Sequence, residues 1–198
     1  MSRLSIVSRV TDSVASASKR ERLTAAAQRV FHEQGVEKTT LADIARVADV
    51  PLGNVYYYFK TKDQLVQATI DSHAEYLGNL TDELGRLDSP GKRLKGLIDF
   101  WVSGRDLAAR YGCPFGTLTV ELDKREDGLD QAAGEVMRKL IDWCAAQFRS
   151  LGCDDAPDLA ITLVGAYQGM AVLANALRDP SIMEREGHRL GEWIDSLG

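Results

Sequence analysis

The segment TTLADIARVADVPLGNVYYYFKTKDQL, residues 39–65, contains two short helical patterns and the start of a third helix. Thr40 followed by Asp43 is the signature of a helix N-cap with an acidic residue in the first turn. The apolar residues that follow recur at helical spacing as far as Ala48. The residue before Pro51 is disfavoured in the α conformation, so the first helix ends ahead of the proline.

A second helix is predicted directly after this stop. Pro51 suits the first turn of a helix, because it has no N–H group and its φ is restricted to a helical value. Thr61 with Gln64 repeats the capping signature and starts the third helix. Two short helices around a brief turn are the skeleton of a helix-turn-helix, a unit that reads DNA.

The distribution of charge supports DNA binding by this segment. The whole chain is acidic, with a formal net charge of −5. Residues 1–62 nevertheless hold ten Lys and Arg against six Asp and Glu, whereas residues 63–198 hold fourteen against twenty-three. A basic segment that coincides with a helix-turn-helix is the pattern expected for phosphate contact, although chance is the competing explanation for so small an excess.

The remaining composition indicates a globular protein without metal or cofactor chemistry. Of the 198 residues, 44% are hydrophobic, which is enough for a core. No apolar run approaches the roughly 20 residues of a membrane span, and the N-terminus lacks the apolar centre of a signal peptide, so we expect a cytoplasmic protein with no membrane partner. Cys113, Cys144 and Cys153 are odd in number and lack metal-ligand spacing, so we expect no disulfide framework, metal site or cofactor.

The predicted fold class is all-α. An N-terminal three-helix helix-turn-helix domain is expected at residues 17–77, and a C-terminal helical ligand-binding and dimerisation domain at 78–198. Residues 1–16 are rich in Ser and are expected to form a disordered arm, with DNA minor-groove contact as the alternative. The first helix is predicted over 19–34, with Gly35 as its stop. Further helices are predicted from about residue 61 into the 80s and near 91–109, 115–123, 128–151, 157–178 and 181–197.

The longer segment FHEQGVEKTTLADIARVADVPLGNVYYYFKTKDQLV, residues 31–66, resembles the DNA-binding domain of the TetR family of bacterial transcriptional regulators. Pro51 and Leu52 depart from the commoner pattern of that family, in which a Ser and a polar or basic residue are frequent. The resemblance implies a homodimeric, ligand-responsive repressor that binds a palindromic DNA operator. The residues that carry the resemblance are Phe31, Gly35, Thr39, Thr40, Ile44, Ala45, Ala48, Val50, Gly53, Tyr56, Tyr58, Phe59, Lys62 and Leu65.

DNA contacts are expected at the helix starts and along the second helix of the motif. Gly53 lets the helix backbone approach a phosphate or the groove wall closely. Asn54 can pair with adenine or bond to phosphate. The predicted DNA-binding residues are Thr40, Leu52, Gly53, Asn54, Tyr56, Tyr57, Lys60 and Lys62.

Two further inferences concern the end of this motif. The helical period assigns Tyr58 and Phe59 to packing rather than to DNA. If Lys60 and Lys62 both contact phosphate, alanine at both positions should flatten the salt dependence of binding by about 1.8 units.

The last two helices are predicted to form the dimer interface. Gly165 and Gly169, four residues apart, allow close helix approach, and the final helix carries a second apolar stripe. An ordinary intramolecular core needs the same residues, so both interpretations stay open on pattern alone. The resemblance favours a four-helix bundle between two copies, and two-fold symmetry implies a palindromic operator. The stripe consists of Leu190, Trp193, Ile194 and Leu197.

The helical body is expected to bind a small, largely apolar effector, because it is rich in aromatic and soft apolar residues. The segment 111–121 resembles the GC-containing turn of a TetR-like subgroup that includes electrophile- and oxidant-responsive repressors. Cys113 then lies at the head of a helix, where reactivity is one hypothesis and an inert buried thiol the other. The predicted ligand-binding residues, some of which are expected to be plain core, are Trp101, Tyr111, Cys113, Phe115, Trp143, Tyr167, Gln168 and Met170.

An enzyme and a helical scaffold are the competing classes. The sequence contains no glycine-rich phosphate loop, HExxH or GxSxG. Asp123, Glu126 and Asp127 form an acidic cluster that is more typical of a solvated surface. A scaffold that does not bind DNA has no need of the segment 53–60, so a DNA-binding regulator is the favoured interpretation.

Overall fold

The computed structural model describes residues 18–197, so the arm predicted for 1–16 lies outside the described residues. The described residues form helices and no strand, which confirms the all-α prediction. In chain order the helices are α1 Lys19–Gln34, α2 Leu41–Val47, α3 Leu52–Tyr58, α4 Lys62–Gly85, α5 Pro90–Ser103, α6 Arg105–Tyr111, α7 Pro114–Leu122, α8 Leu129–Ser150, α9 Ala156–Leu177 and α10 Ser181–Asp195.

The chain divides into two compact units, Met1–Ser72 and His73–Gly198, and the boundary falls inside α4. The first unit contains α1, α2, α3 and the beginning of α4. The second unit contains the rest of α4 and α5 to α10.

Local capping explains the limits of α1. The Ser18 hydroxyl accepts the Glu21 N–H, and the Glu21 carboxylate accepts the Ser18 N–H in return. The helix ends at Gly35, whose φ of 87° is readily adopted by glycine. The face of α1 expected to be apolar is buried, as predicted; it consists of Leu23, Ala27, Val30 and Phe31.

The helix-turn-helix begins with the predicted capping box. Thr40 Oγ1 accepts the Asp43 N–H at 3.2 Å, and Asp43 Oδ2 accepts both the backbone N–H and the hydroxyl of Thr40. These bonds from Thr40 lower the pKa of the Asp43 carboxyl, with a smaller contribution from Arg46. After α2 the chain turns at Asp49, whose φ of 51° lies in the left-handed region.

The expectation that Pro51 opens the first turn of α3 is corrected by the structure. Pro51 has a ψ of 136°, so it is the N-cap residue, and α3 begins at Leu52. A proline side chain has no acceptor with which to cap the helix. The Asn54 N–H instead donates to the Pro51 carbonyl at 2.8 Å.

In the second unit, the single helix predicted over 91–109 is wrong. The chain forms α5 and α6, which are separated by Gly104. The Gly104 N–H donates to the Trp101 carbonyl three residues back, and the Ala108 N–H donates to the Gly104 carbonyl. Glycine lowers helix stability by about 1 kcal/mol relative to alanine, so it is a favourable place for this break.

The core of the second unit is built around α9. This helix packs against α6, α8 and α10, and α5 packs against α8 and α10. Gly187 lies against Val102, and a Cβ at that position would overlap the valine side chain, so α10 and α5 cross closely there. Within residues 18–197, α9 is the one helix long and apolar enough to span a membrane. That is weak evidence, because a core helix passes the same test.

Candidate DNA-reading helix and cysteine site

The orientation of α3 is set by two buried side chains. Val55 and Phe59, four residues apart, are 0% and 1% exposed, and Arg20 lies over the Phe59 ring at 4.7 Å. The rows of α3 that do not contain Val55 and Phe59 therefore lie toward the outside of the unit. Four of the residues predicted to contact DNA are exposed there: Leu52, Gly53, Tyr56 and Tyr57.

The other aromatic and polar residues of α3 occupy the sides of this face. Phe59 is fully buried and Tyr58 is half-buried, with its ring edge against Tyr57 at 5.0 Å between centroids. Asn54 is half-buried, next to the exposed rows. Within the described residues, Gly53 has open space where its Cβ would be, so no neighbour there requires glycine at this position.

Lys60 and Lys62 have different surroundings. Lys60 is exposed, and its ammonium donates to the Tyr56 carbonyl at 2.6 Å, which leaves two N–H donors for another partner. Lys62 is half-buried and donates to the carbonyls of Val36, Glu37 and Thr39 at 2.9, 3.2 and 3.2 Å.

These bonds give Lys62 a role that the sequence did not predict. Because an ammonium has three donors, Lys62 is fully engaged in holding the segment that leads into α2. Phosphate contact by Lys62 stays a prediction, and it requires at least one of these bonds to break.

Cys113 is the centre of a second candidate site. It caps α7, and its sulfur accepts the Gly116 N–H at 3.2 Å. The Tyr167 hydroxyl donates to the same sulfur at 3.3 Å, and the Gln168 amide lies 3.8 Å away. Burial raises the pKa of Tyr167, and the neighbouring Cys113 raises it further by a smaller amount. The Tyr167 hydroxyl therefore keeps its proton and acts as a hydrogen-bond donor at neutral pH. A Cβ at Gly116 would overlap the Gln168 amide oxygen, so a side chain at this position would displace the end of Gln168.

Five of the predicted ligand-binding residues come together around this sulfur. Trp101 stacks on Tyr167, with ring centroids 4.2 Å apart and planes inclined by 10°. Phe115 lies two residues after Cys113 and packs against His73, with 5.2 Å between the ring centroids. Cys113 and Gln168 complete the group. The sequence provided no signal for His73, because it lies about 40 residues away on α4.

The remaining three predicted ligand residues lie elsewhere in the same unit. Met170 is a buried core residue, and Trp143 is half-buried against that core. The Tyr111 ring lies under the Arg110 guanidinium at 5.0 Å.

The exposed face of α9 is apolar and contains two glycines. A Cβ at Gly165 or Gly169 would meet no atom within 4 Å among residues 18–197, so these glycines serve no packing within that part of the chain. Exposed large side chains flank them along the same helix: Ile161, Val172, Leu173 and Leu177.

The stripe predicted on α10 is used differently. Leu190 and Ile194 are buried in the core of their own unit, and Trp193 packs on Phe148 at 5.7 Å between ring centroids. The prediction that this stripe forms a dimer surface is therefore wrong for Leu190 and Ile194, because they are covered within the chain.

Two matches to family models cover most of the chain. Residues 23–69 match bacterial regulatory proteins of the tetR family. Residues 90–188 match the C-terminal domain of LmrA/YxaF-like transcriptional regulators. The chain belongs to the TetR family. Members of this family are transcription regulators, which are generally not enzymes.

Individual relatives of this TetR-family chain are distant. An uncharacterized HTH-type transcriptional regulator in the lacX 3′ region of Lactococcus lactis is 26% identical over 187 residues, which are 90% of this chain and 94% of the relative. The HTH-type transcriptional regulator LmrA of Bacillus subtilis is 24% identical over 146 residues, or 69% and 74% of the two chains.

Solved structures show the same fold. A TetR transcriptional regulator from Legionella pneumophila superposes with a TM-score of 0.78 and 18% identity, covering 91% of this chain and 97% of the other. The reduced form of NemR from E. coli gives a TM-score of 0.75 and 19% identity, with 87% and 95% covered. At these identities the likeness concerns the fold alone.

Two exposed residues of the TetR-type helix-turn-helix were not among the DNA-binding residues predicted from the sequence, although they are candidates by position. Arg46 and Val47 are exposed at the end of α2. A signal was present, because the buried residues Ile44, Ala45 and Ala48 leave these two positions on the outer side of the helix.

Proposed function

We propose that this protein is a repressor that binds a palindromic DNA operator as a homodimer and releases it when a small, largely apolar molecule binds. The observation that carries the proposal is the exposed face of α3. Its outward rows contain Gly53, Tyr56 and Tyr57, while Val55 and Phe59 hold the helix in place. A short helix presented in this way suits insertion into the major groove.

The exposed face of α9 supports association of two copies. A glycine inside an exposed helix is less favourable than alanine by about 1 kcal/mol, so Gly165 and Gly169 destabilise the isolated chain. Close approach of a second helix offsets that cost, and the flanking apolar side chains supply area to bury. We therefore centre the dimer contact of the last two helices on α9, because Leu190 and Ile194 of α10 are buried within their own unit.

The dimer is tested by sedimentation velocity on wild type, Gly165→Leu and Gly134→Leu. Both glycines are exposed, and neither has an atom within reach of an added Cβ, so Gly134 on α8 is a matched control. We expect a dimer for wild type and Gly134→Leu, and a concentration-dependent shift to monomer for Gly165→Leu. Identical behaviour of the two variants would remove α9 from the interface.

Operator binding is tested by selecting duplexes from random-sequence DNA and measuring affinity by fluorescence anisotropy. We expect inverted-repeat sequences and a steep decrease of affinity with salt. Recovery of no sequence above background, at a protein concentration where the chain is folded, would contradict DNA recognition.

The apolar core around Trp101 supports an apolar effector. The Trp101 and Tyr167 rings stack, and Phe115 on α7 packs against His73 on α4. A set of planar aromatic compounds, titrated into the protein–operator complex, should include members that both quench tryptophan fluorescence and release the duplex. Quenching without release would show binding that does not regulate, because release requires a ligand that favours the non-binding state.

A second candidate input is an electrophile that reacts with Cys113. Two donors, the Gly116 N–H and the Tyr167 O–H, point at its sulfur, and such hydrogen bonds stabilise negative charge on sulfur. In the reaction, the thiol first loses its proton to water, the thiolate lone pair forms a C–S bond to an electron-poor alkene, the alkene π electrons move to the adjacent carbon, and that carbon takes a proton back from the solvent, so the thioether forms with no net change in protons. Cys144 is a fully buried thiol, and burial raises its pKa to about 12.

The experiment treats the operator complex with N-ethylmaleimide and maps the modified cysteines by mass spectrometry. We expect Cys113 to be modified faster than Cys144, and DNA to be released at the rate at which Cys113 is modified. Cys144→Ala is the matched control and should behave as wild type. Release from Cys113→Ser at the wild-type rate would exclude Cys113 as the sensor.

A further inference from the structure

The exposed large apolar side chains of the DNA-binding unit are concentrated in one short segment. Among residues 18–72 they are Val47, Leu52, Tyr56 and Tyr57, with 36, 42, 49 and 77% of their surface exposed. All four fall within residues 47–57. Scattered exposed apolar residues are ordinary, but such a cluster within one short segment indicates an interaction site.

The position of Leu52 on this surface follows from the helix geometry. Leu52 and Tyr56 are four residues apart, so they are neighbours on one face of α3. Gly53 and Tyr57 form the adjacent row, with open space above Gly53. Leu52 therefore stands at the beginning of the outward face, with no bulky side chain at position 53 beside it.

The surroundings of the cluster favour a nucleic acid as its partner. Arg46 and Lys60 are exposed at its two ends, and residues 1–62 carry the basic excess of the chain. The surface is also continuous with the proposed DNA-reading face of α3. An apolar partner protein would not need this flanking positive charge, whereas DNA presents phosphates beside the groove.

The chemistry of Leu52 limits what it can recognise. A leucine side chain has no hydrogen-bond donor or acceptor, so it cannot distinguish bases by their polar edges. The C5-methyl group of thymine is the apolar group that the major groove presents. We propose that Leu52 is a specificity-determining residue that recognises a thymine methyl group in each operator half-site. This inference rests on the proposed DNA-binding function.

The test uses the duplex that the wild-type chain selects from random DNA and a series in which single thymines are replaced by deoxyuridine. Deoxyuridine keeps base pairing and removes only the methyl group. For wild type, we expect one or two positions per half-site where the replacement weakens binding about fourfold, which is the scale of one buried methyl-sized group. At these positions, Leu52→Ala should respond to deoxyuridine by less than twofold.

Two further variants make the assignment specific. Val47→Ala also removes exposed apolar surface from the DNA-binding unit and should keep the fourfold response at the thymines that Leu52 recognises. Leu52→Val keeps a shorter apolar side chain and should show a deoxyuridine response between those of wild type and Leu52→Ala. It replaces Leu52→Ala in the comparison if the alanine variant binds DNA too weakly to measure.

The outcomes separate this inference from the proposed function. Tight binding of a selected duplex with no sensitivity to deoxyuridine at any position would refute the inference and leave DNA recognition intact. An equal deoxyuridine response in wild type and Leu52→Ala would likewise assign the methyl contact to another residue. Failure to select any duplex would refute both.

Discussion

Replacing Gly53 with alanine separates the stability of the free protein from its affinity for DNA. Gly53 is the second residue of α3, it is exposed, and a Cβ built there meets no atom of residues 18–197 within 4 Å. Alanine is therefore accommodated without strain in the free chain. In the middle of a helix, alanine stabilises the helical state by about 1 kcal/mol relative to glycine. For a residue in the first turn we use about half of that free energy.

The expected change in the free protein is small and positive. For a chain of this size, about 0.5 kcal/mol corresponds to a rise in the unfolding midpoint of about 1–2 °C. The expected change in DNA binding has the opposite sign. If the helix backbone at Gly53 lies against the groove, the added methyl group forces each reading helix outward. A loss of about tenfold per helix is about 1.4 kcal/mol, or about a hundredfold for a dimer.

The two quantities are measured by thermal unfolding followed by circular dichroism and by anisotropy on a selected duplex. Gly134→Ala is the matched control, because Gly134 is also exposed in a helix with open space around it. It should raise the midpoint and leave affinity unchanged. If Gly53→Ala binds DNA as wild type does, the backbone at Gly53 does not approach DNA closely and the proposed docking of α3 is wrong.

Three other perturbations test features of the first unit. Lys60→Ala should reduce the salt slope of operator binding by about 0.9 per protomer and leave the unfolding midpoint unchanged, whereas Lys62→Ala should lower the midpoint; equal midpoints for both variants would contradict this difference. Thr69 has a buried hydroxyl without a partner among the described residues, so Thr69→Val should raise the free energy of unfolding by about 1 kcal/mol, and a decrease in urea denaturation would show that the hydroxyl is needed. The pKa of Asp43 is lowered in the folded chain by its bonds to Thr40, so its contribution to stability is present at neutral pH and is lost as pH falls through the folded pKa. The difference in midpoint between wild type and Asp43→Asn should therefore shrink on acidification from about pH 6 to about pH 3, and a constant difference would argue against the Thr40 bonds as its source.

The segments that sequence reasoning predicted best are those controlled by neighbours in the chain. The Thr40–Asp43 capping box and the stop at Gly35 depend on groups within a few residues, and both were predicted. The break at Gly104 was not, because a glycine inside an apolar helical pattern is compatible with either a continuous helix or a turn. Pro51 was placed one position too far into α3 for the same reason, since proline suits both positions.

The functional surfaces also include one part that the sequence predicted and one part that it did not. The helical period correctly separated the buried Phe59 from the exposed Tyr56 and Tyr57, because Val55 and Phe59 lie on one face of a short helix. It did not reveal that Leu190 and Ile194 are covered by the core. An apolar stripe has the same pattern whether it packs inside its own chain or against a second copy.

The sequence by itself determined the all-α class, the helix-turn-helix, its basic character and the family, because caps, turns and periodicity act between residues close in the chain. Only the tertiary structure decided which partners these residues meet. It joined the sulfur of Cys113 to the hydroxyl of Tyr167, 54 residues further on, and the ammonium of Lys62 to carbonyls more than 20 residues back. The physical reason is that such contacts follow from how helices pack, and packing depends on the shapes of all the side chains in a core at once.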